Sequence, residues 1–396
     1  MAKRGNGEGT IYYSEKLNKW VGQFSAGRKE NGKLNRKSVY GNTRKEVKEK
    51  MTKALAEVQA NSYIDKSNIT IAELGKSIIE LKFNSNRITE TTYSRSLNTF
   101  NIIKNEIGDI PIQEIEISQL QNFINKQKTY SNSYINKIYE MLSNIFKEGI
   151  KNGIIAKNPM LNILKPKSIK QDKKIDALTI EEQKLFTSAL ENEQYKNIFL
   201  IALHSGMRIG EILALTINDI DLDNKLVHIT NTLTKDSTGK VKIGETTKTY
   251  ESMRDIPITT ILEPILNNSI SNYISNKNKL LFCHSNGSMI TPSTINTQFK
   301  KICKNAGIKV ITVKKKKGID KDGNDIFVNL KTSTVNTHML RHTYATRCIE
   351  SGVPAEILQK LLGHKNISIT LNTYTTIFNK FKVTALDNYI NYINNI

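Results

Sequence analysis

Only three cysteines, Cys283, Cys303 and Cys348, occur in 396 residues. They are odd in number and widely spaced, which excludes a disulfide framework and a paired-cysteine zinc knuckle. Free thiols in a reducing compartment are the expectation. Long uncharged apolar runs are also missing, and mean hydropathy is -0.41, so no membrane span is expected. Lys3 and Arg4 near the start are not followed by an apolar stretch. No secretory signal is read there, and a cytoplasmic protein is expected. The chain has no internal repeat, and no low-complexity tract beyond Lys314–Lys317.

Acidic residues are in the minority. Lys and Arg number 58 against 37 Asp and Glu, a net charge of +21 with pI near 9.6. That excess predicts attraction to a polyanion and salt-dependent binding through counterion release. No basic amphipathic helix with a bulky apolar face stands out, so nucleic acid is favoured over an anionic membrane. Apolar residues make up 38% of the chain, enough for real cores, and its length favours two or three domains.

The chain reads as a multidomain α+β protein. Residues 1–66 suggest a small β-sheet-plus-helix domain: runs at Thr10–Ser14, Trp20–Ala26 and Leu34–Tyr40, an Asn31-Gly32 hairpin signal, and a helix opened by Thr43 with Glu46 as a capping box. This region carries 15 basic and 7 acidic side chains, a net +8. Such a sheet could lie in a DNA groove, or be a solvated basic module. Residues 67–168 read as all-α, opened by Thr70 and Glu73 and closed by Lys157-Asn158-Pro159 before a basic linker. Residues 169–396 read as mixed and mainly α. Val227–Ile229, Val241–Ile243 and Arg254–Ile258 are expected in a small antiparallel sheet, and Pro354 and Gly363 at the N1 and C′ positions of a short helix.

Four segments of the third region hold the chemistry: His204-Ser-Gly-Met-Arg208-Ile-Gly-Glu211, Thr247-Lys248-Thr249, His338-Met-Leu-Arg341-His342, and Leu362-Gly363-His364 followed by Tyr374. Cleaving a phosphodiester without a metal calls for cationic forks on the non-bridging oxygens, a nucleophile, and a proton donor for the leaving oxygen. A free Tyr is ionised to roughly one part in a thousand at pH 7, so it needs cationic neighbours. Arg208, Arg341, Lys248, His338, His364 and Tyr374 supply each part. Singly, each is weak: an Arg opening an apolar helix is usually a surface residue, and a late Tyr usually packing. His338 and His342 stand at i and i+4 like a zinc pair, but they lack the Glu of a zincin and a nearby acidic or Cys ligand.

Together and in this order, the segments resemble the tyrosine recombinase (phage integrase) family, as found in Gram-positive conjugative transposons and temperate phages. Arg208 and Glu211 match its first box. Lys248 matches the hairpin lysine of Thr-Lys-Thr-x-x-Ser-x-Arg-x-Ile-Pro, and His338 and Arg341 the H-x-x-R box. His364 matches the Leu-Gly-His element, and Tyr374 the nucleophile. The resemblance implies three domains: an arm-type DNA-binding domain at 1–66, a helical core-binding domain at 67–168 and the catalytic domain at 169–396. It implies a site-specific recombinase acting through a 3′-phosphotyrosine, with no metal and no ATP, on core and arm-type sites of double-stranded DNA. Lys248 is the candidate acid and His338 the candidate acceptor of the Tyr374 proton, the division among Lys248, His338 and His364 remaining open. Glu211 would orient the first box.

The resemblance further implies a homotetramer on two DNA sites, with an excisionase or DNA-bending protein as an accessory. Its rivals are a catalytically silent DNA-binding relic, a chromosome-dimer resolvase and a relaxing topoisomerase. The intact residue set argues against the first, and the amino-terminal basic module against the resolvase. Ser205 stands where the family more often has Thr, a conservative change. Residues 309–332, turning at Lys321–Asn324, read as an inserted β-hairpin ahead of His338. Its cluster Lys314–Lys317 would touch DNA or a neighbouring subunit, or be part of a solvated basic loop. In the tail, Phe381, Ala385, Leu386, Tyr389, Ile390 and Ile393 recur at helical spacing, an apolar face to be covered by the chain's own core or by a neighbouring protomer.

Overall fold

The computed structural model describes residues 9–28, 32–60, 63–170, 177–236, 238–245, 253–319 and 325–394. Roughly half of the chain is helical, with small antiparallel sheets. It divides into two compact units, Met1–Asp172 and Lys173–Ile396.

In the first unit, β1 (Thr10–Ser14), β2 (Lys19–Arg28) and β3 (Leu34–Gly41) form an antiparallel sheet in that order. Helix α1 (Arg44–Gln59) buries Val47, Met51 and Ala54 at helical spacing, and Phe24 of β2 clusters with Met51 and Ala54. Thr43 caps it, its side chain accepting from the Glu46 amide. The carboxylate of Glu46 returns to the Asn42 amide, one residue before the position a capping box would use.

Helices α2 (Ile71–Asn84), α3 (Glu90–Ile107), α4 (Ile117–Lys126) and α5 (Asn132–Lys151) share a separate core that includes Leu74, Phe100, Ile103, Phe123, Leu142 and Phe146. The Thr70–Glu73 capping box is present. Losing such a cap costs about 1 kcal/mol.

The second unit packs α6 (Ile180–Ala189), α7 (Lys196–Ser205) and α10 (Pro292–Asn305) through Phe186, Phe199 and Phe299, whose ring centroids lie 5.1–5.9 Å apart. A single turn, α8 (Ile209–Ile212), follows α7. Strands β4 (Ile220–Asp221), β5 (Leu226–Ile229) and β8 (Arg254–Pro257) make one antiparallel sheet. β6 (Asn231–Lys235) and β7 (Val241–Glu245) make a separate hairpin.

The sequence placed Val241–Ile243 in the first of these sheets, and the structure corrects this. Asp236 closes a tight turn by accepting from the Thr238 and Lys240 amides, so β7 folds back on β6, where Leu233 and Ile243 pair against the core. Helix α9 (Leu262–Ser271) packs on α7.

β9 (Val310–Ile319) and β10 (Asp325–Ser333) form the expected inserted hairpin, paired from Val310↔Ser333 to Ile319↔Asp325 with a register shift between Ile326 and Phe327. Its expected turn at Lys321–Asn324 lies outside the described residues. Three helices complete the unit: α11 (His338–Glu350), α12 (Ala355–Leu362) and α13 (Ile367–Asn394). Pro354 is the N-cap of α12 rather than its first helical residue, with ψ 145°. Gly363 ends that helix in the left-handed region, at φ 62°. Helix α13 breaks at Tyr374, where φ is -115° and ψ 18°. In the tail, Leu386, Ile390 and Ile393 are exposed. The side chains of Phe381, Ala385 and Tyr389 lie outside the described ones. Among the described residues, no helix is long and apolar enough to cross a membrane.

Candidate active site

Arg208 is the N-cap of α8, and Glu211 stands three residues on. Glu211 Oε2 accepts from the Arg208 amide at 2.8 Å and Oε1 from its Nη1 at 2.7 Å. From β8, Arg254 reaches the same carboxylate with Nη2 at 2.7 Å and Nη1 at 3.2 Å. Glu211 is 3% exposed. Burial alone would raise its pKa, but the hydrogen bond and charge of Arg254, then the charge of Arg208, hold it at about 2. The Arg208 side chain keeps 42% of its surface in solvent, so its guanidinium is tethered on one edge and open on the other.

Arg341, on α11, is 2% exposed. Its Nη1 donates to Gly206 O at 2.8 Å and its Nη2 to Leu362 O at 2.5 Å. These carbonyls end α7 and α12, where unpaired C=O groups and the negative pole of each helix favour a cation. Arg254 does the same beside it, its Nε donating to Leu361 O at 2.8 Å. Burial, then the charge of Arg208, pulls Arg341 down to about 9, still charged at neutral pH.

Two glycines make this convergence possible. Gly206 has φ +66°, and a Cβ there would sit 2.4 Å from the Tyr344 ring; Gly363 has φ +62°, with Arg254 Nη1 at 3.0 Å. Neither position accepts a side chain without strain.

His338 opens α11 and His364 follows Gly363. Burial lowers both, followed for each by the charges of Arg341 and Arg208; His364 comes down to about 4. These four side chains therefore share one electrostatic neighbourhood. His364 Nδ1 is hydrogen-bonded to Thr370 Oγ1 at 2.8 Å, which leaves Nε2 for another partner. Lys248 lies outside the described residues.

Tyr374 is 2% exposed, in a cluster with Ala345, Ile349, Leu358 and Leu362. Cationic neighbours were expected from the sequence to ease its ionisation. Arg341 does lower its pKa, but burial is the larger influence and pushes the phenol up to about 12. Nor is His338 the imidazole bonded to it: Tyr374 Oη lies 2.9 Å from His342 Nδ1. His342 follows Arg341 directly and was weighed in the sequence only as half of a zinc pair. Arg254, quoted within the hairpin motif without a role, is the other residue that sequence reasoning passed over. Its i, i+2 setting before Ile256-Pro257 was visible, but its pairing with Glu211 was not.

Residues 176–380 match a family model described as the phage integrase family. A protein named tyrosine recombinase XerC-like, from Caldanaerobacter subterraneus subsp. tengcongensis, is 30% identical over 387 residues, covering 91% of this chain and 93% of that protein. Among solved structures, the integrase of transposon Tn1549 in complex with transposon right end DNA aligns with TM-score 0.63 and 23% identity, over 77% of this chain and 94% of that one. A lambda integrase tetramer bound to a Holliday junction aligns with TM-score 0.52 and 16% identity, over 94% of this chain and 96% of that one.

Proposed function

The chain belongs to the phage integrase family, the site-specific tyrosine recombinases of mobile elements and phages, and from that premise we propose that Tyr374 is the residue through which it cuts and rejoins DNA. One observation carries this reading: Arg208, Arg341, His338 and His364 act on one another electrostatically, and Arg341 also acts on the buried phenol of Tyr374.

Tyr374 Oη attacks the scissile phosphorus, forming a 3′-phosphotyrosine and releasing a 5′-hydroxyl. The 5′-hydroxyl of the partner DNA then attacks that ester and rejoins the strand, so bond energy is conserved without ATP. Arg208, open to solvent on one edge, and Arg341 stabilise charge on the phosphorane oxygens. His364, with Nδ1 occupied by Thr370, offers Nε2 to the phosphate. Lys248 is the acid for the leaving oxygen. Glu211 holds Arg208 in place.

Cleavage of a nicked duplex carrying the element-end sequence is expected to persist in excess EDTA, since guanidinium groups take the charge-stabilising role of a metal. Denaturing gels of the covalent adduct measure it. Loss of the adduct on chelation, restored by Mg²⁺, would sink the metal-free reading.

We assign three domains: arm-type DNA binding at 1–66, core binding at 67–168 and catalysis at 169–396. The separate hydrophobic clusters around Phe24 and around Phe100 support the first division. Deleting residues 1–66, with their net charge of +8, should spare core-site cleavage and weaken protection of distal sites in footprinting. Identical footprints would remove the arm-site reading. The assembly we assign is a tetramer on two core sites, assisted by an excisionase or DNA-bending protein. Exposed Leu386, Ile390 and Ile393 in α13 support docking of the tail on a neighbouring protomer.

A further inference from the structure

Resting on the reading of Tyr374 as nucleophile, we propose that His342 is a catalytic residue of strand cleavage: its Nδ1 holds the Tyr374 phenol and accepts its proton as Oη bonds to phosphorus.

His342 lies one helical turn beyond His338 on α11, and the two rings pack edge to face with centroids 4.6 Å apart. That contact helps to fix the plane of the His342 ring, whose Nδ1 is 2.9 Å from Tyr374 Oη. Among the described residues, no other side chain is hydrogen-bonded to that oxygen. With Tyr374 2% exposed, water is a poor alternative acceptor for its proton.

The charges around the pair set its resting state: they keep His342 neutral, with Nδ1 free to accept, and oppose imidazolium until the Oη–P bond forms. His338 and Arg341, both on α11, face His342, and Arg341 and Cys348 act on Tyr374. Burial, then His338 and Arg341, holds His342 down at about 4, so it is neutral at pH 7. A neutral imidazole protonated on Nε2 presents Nδ1 as an acceptor.

The phenol, up at about 12, keeps its proton at rest. Transfer waits for bond formation, when Oη becomes an ester oxygen and loses basicity. The Oη–P bond then forms and the P–O5′ bond breaks; the phenol proton moves to Nδ1, and O5′ takes a proton from the general acid. On rejoining, the 5′-hydroxyl attacks and gives its proton back to the general acid, the O5′–P bond forms, the Oη–P bond breaks, and Nδ1 returns its proton to the phenol.

The test is single-turnover adduct formation on a nicked duplex by the full chain, with DNA binding measured alongside. His342→Ala is expected to bind as the unmodified protein does but to form adduct about 100-fold more slowly. Added imidazole should recover the rate, more so for substituted imidazoles of higher basicity. His342→Asn, whose amide oxygen replaces Nδ1 as an acceptor but cannot take up the proton, should stay slow and respond less to imidazole. An unchanged rate in His342→Ala overturns the proposal. So does full activity in His342→Asn, which would reduce His342 to a positioning residue. If His342→Ala loses DNA binding through misfolding, the near-isosteric Asn variant carries the comparison. A failed nucleophile assignment shows separately, as adduct formed by Tyr374→Phe with His342 intact.

Discussion

Tyr374→Phe is expected to form no covalent protein–DNA complex while binding core-site DNA almost as tightly as the unmodified protein. The phenyl ring still fills the cluster of Ala345, Leu358 and Leu362, so packing around α11, α12 and α13 is preserved. What goes is one oxygen, and with it the only protein atom in our proposed mechanism that bonds to phosphorus. The hydrogen bond to His342 Nδ1 goes too, at a cost of about 1–3 kcal/mol for the unpaired, partly buried nitrogen. That loss is modest against the stability of a chain this long. Phosphate contacts, which dominate affinity, are untouched. A nicked duplex and a denaturing gel give the adduct, and a salt titration gives the affinity. An adduct in the Phe variant, through Tyr389 or Tyr392 of the tail, would show that the nucleophile has been misassigned.

The second large effect is on stability, at Glu211. This carboxylate is buried between Arg208 and Arg254. Glu211→Gln keeps its shape but leaves two guanidinium groups facing a neutral amide, and removing one partner of a buried pair costs about 3–5 kcal/mol. The pKa gives a similar figure: a fall from 4.5 to about 2 corresponds to about 3 kcal/mol. Because the folded-state pKa is the lower one, this stabilisation is fully present above about pH 4.5. It is lost as pH falls toward 2. Denaturant unfolding should therefore separate the two proteins by about 3 kcal/mol at pH 7, with the gap closing on acidification toward pH 2. A gap that stays constant with pH would mean that the carboxylate charge is not what Arg254 and Arg208 hold. Core-site cleavage should fall as well, since Arg208 loses its charged tether and Arg254 its carboxylate anchor on α8.

Much of the local structure was written in short-range signals. The Thr70–Glu73 capping box formed as its spacing predicts, because it joins residues three apart in one turn. The hairpin over 309–332 followed from an extended run with a turn in its middle. Gly363 was legible as a helix end because a left-handed backbone at that point favours glycine. The motif set around Arg208, Arg341 and Tyr374 was likewise legible in order and residue type, enough to indicate a family and a chemistry.

Other features depend on contacts between distant parts of the chain, for which a linear pattern has no periodicity to offer. Arg254 meets Glu211 across 43 residues, and Tyr374 meets His342 rather than His338 across 32. The choice between two histidines one turn apart depends on how α13 lies against α11. The strand at Val241 could pair with either of two neighbours, and the Asp236 turn decided it. Burial is the clearest case. By composition alone Tyr374 sits among cations that should ease its ionisation, but in the folded protein its phenol is pushed up to about 12, because desolvation by Leu358, Leu362 and their neighbours outweighs the charge of Arg341. The sequence by itself determined which chemical groups are present and in what order; only the tertiary structure decided which of them touch and how much water each one keeps, since both depend on packing that closes last.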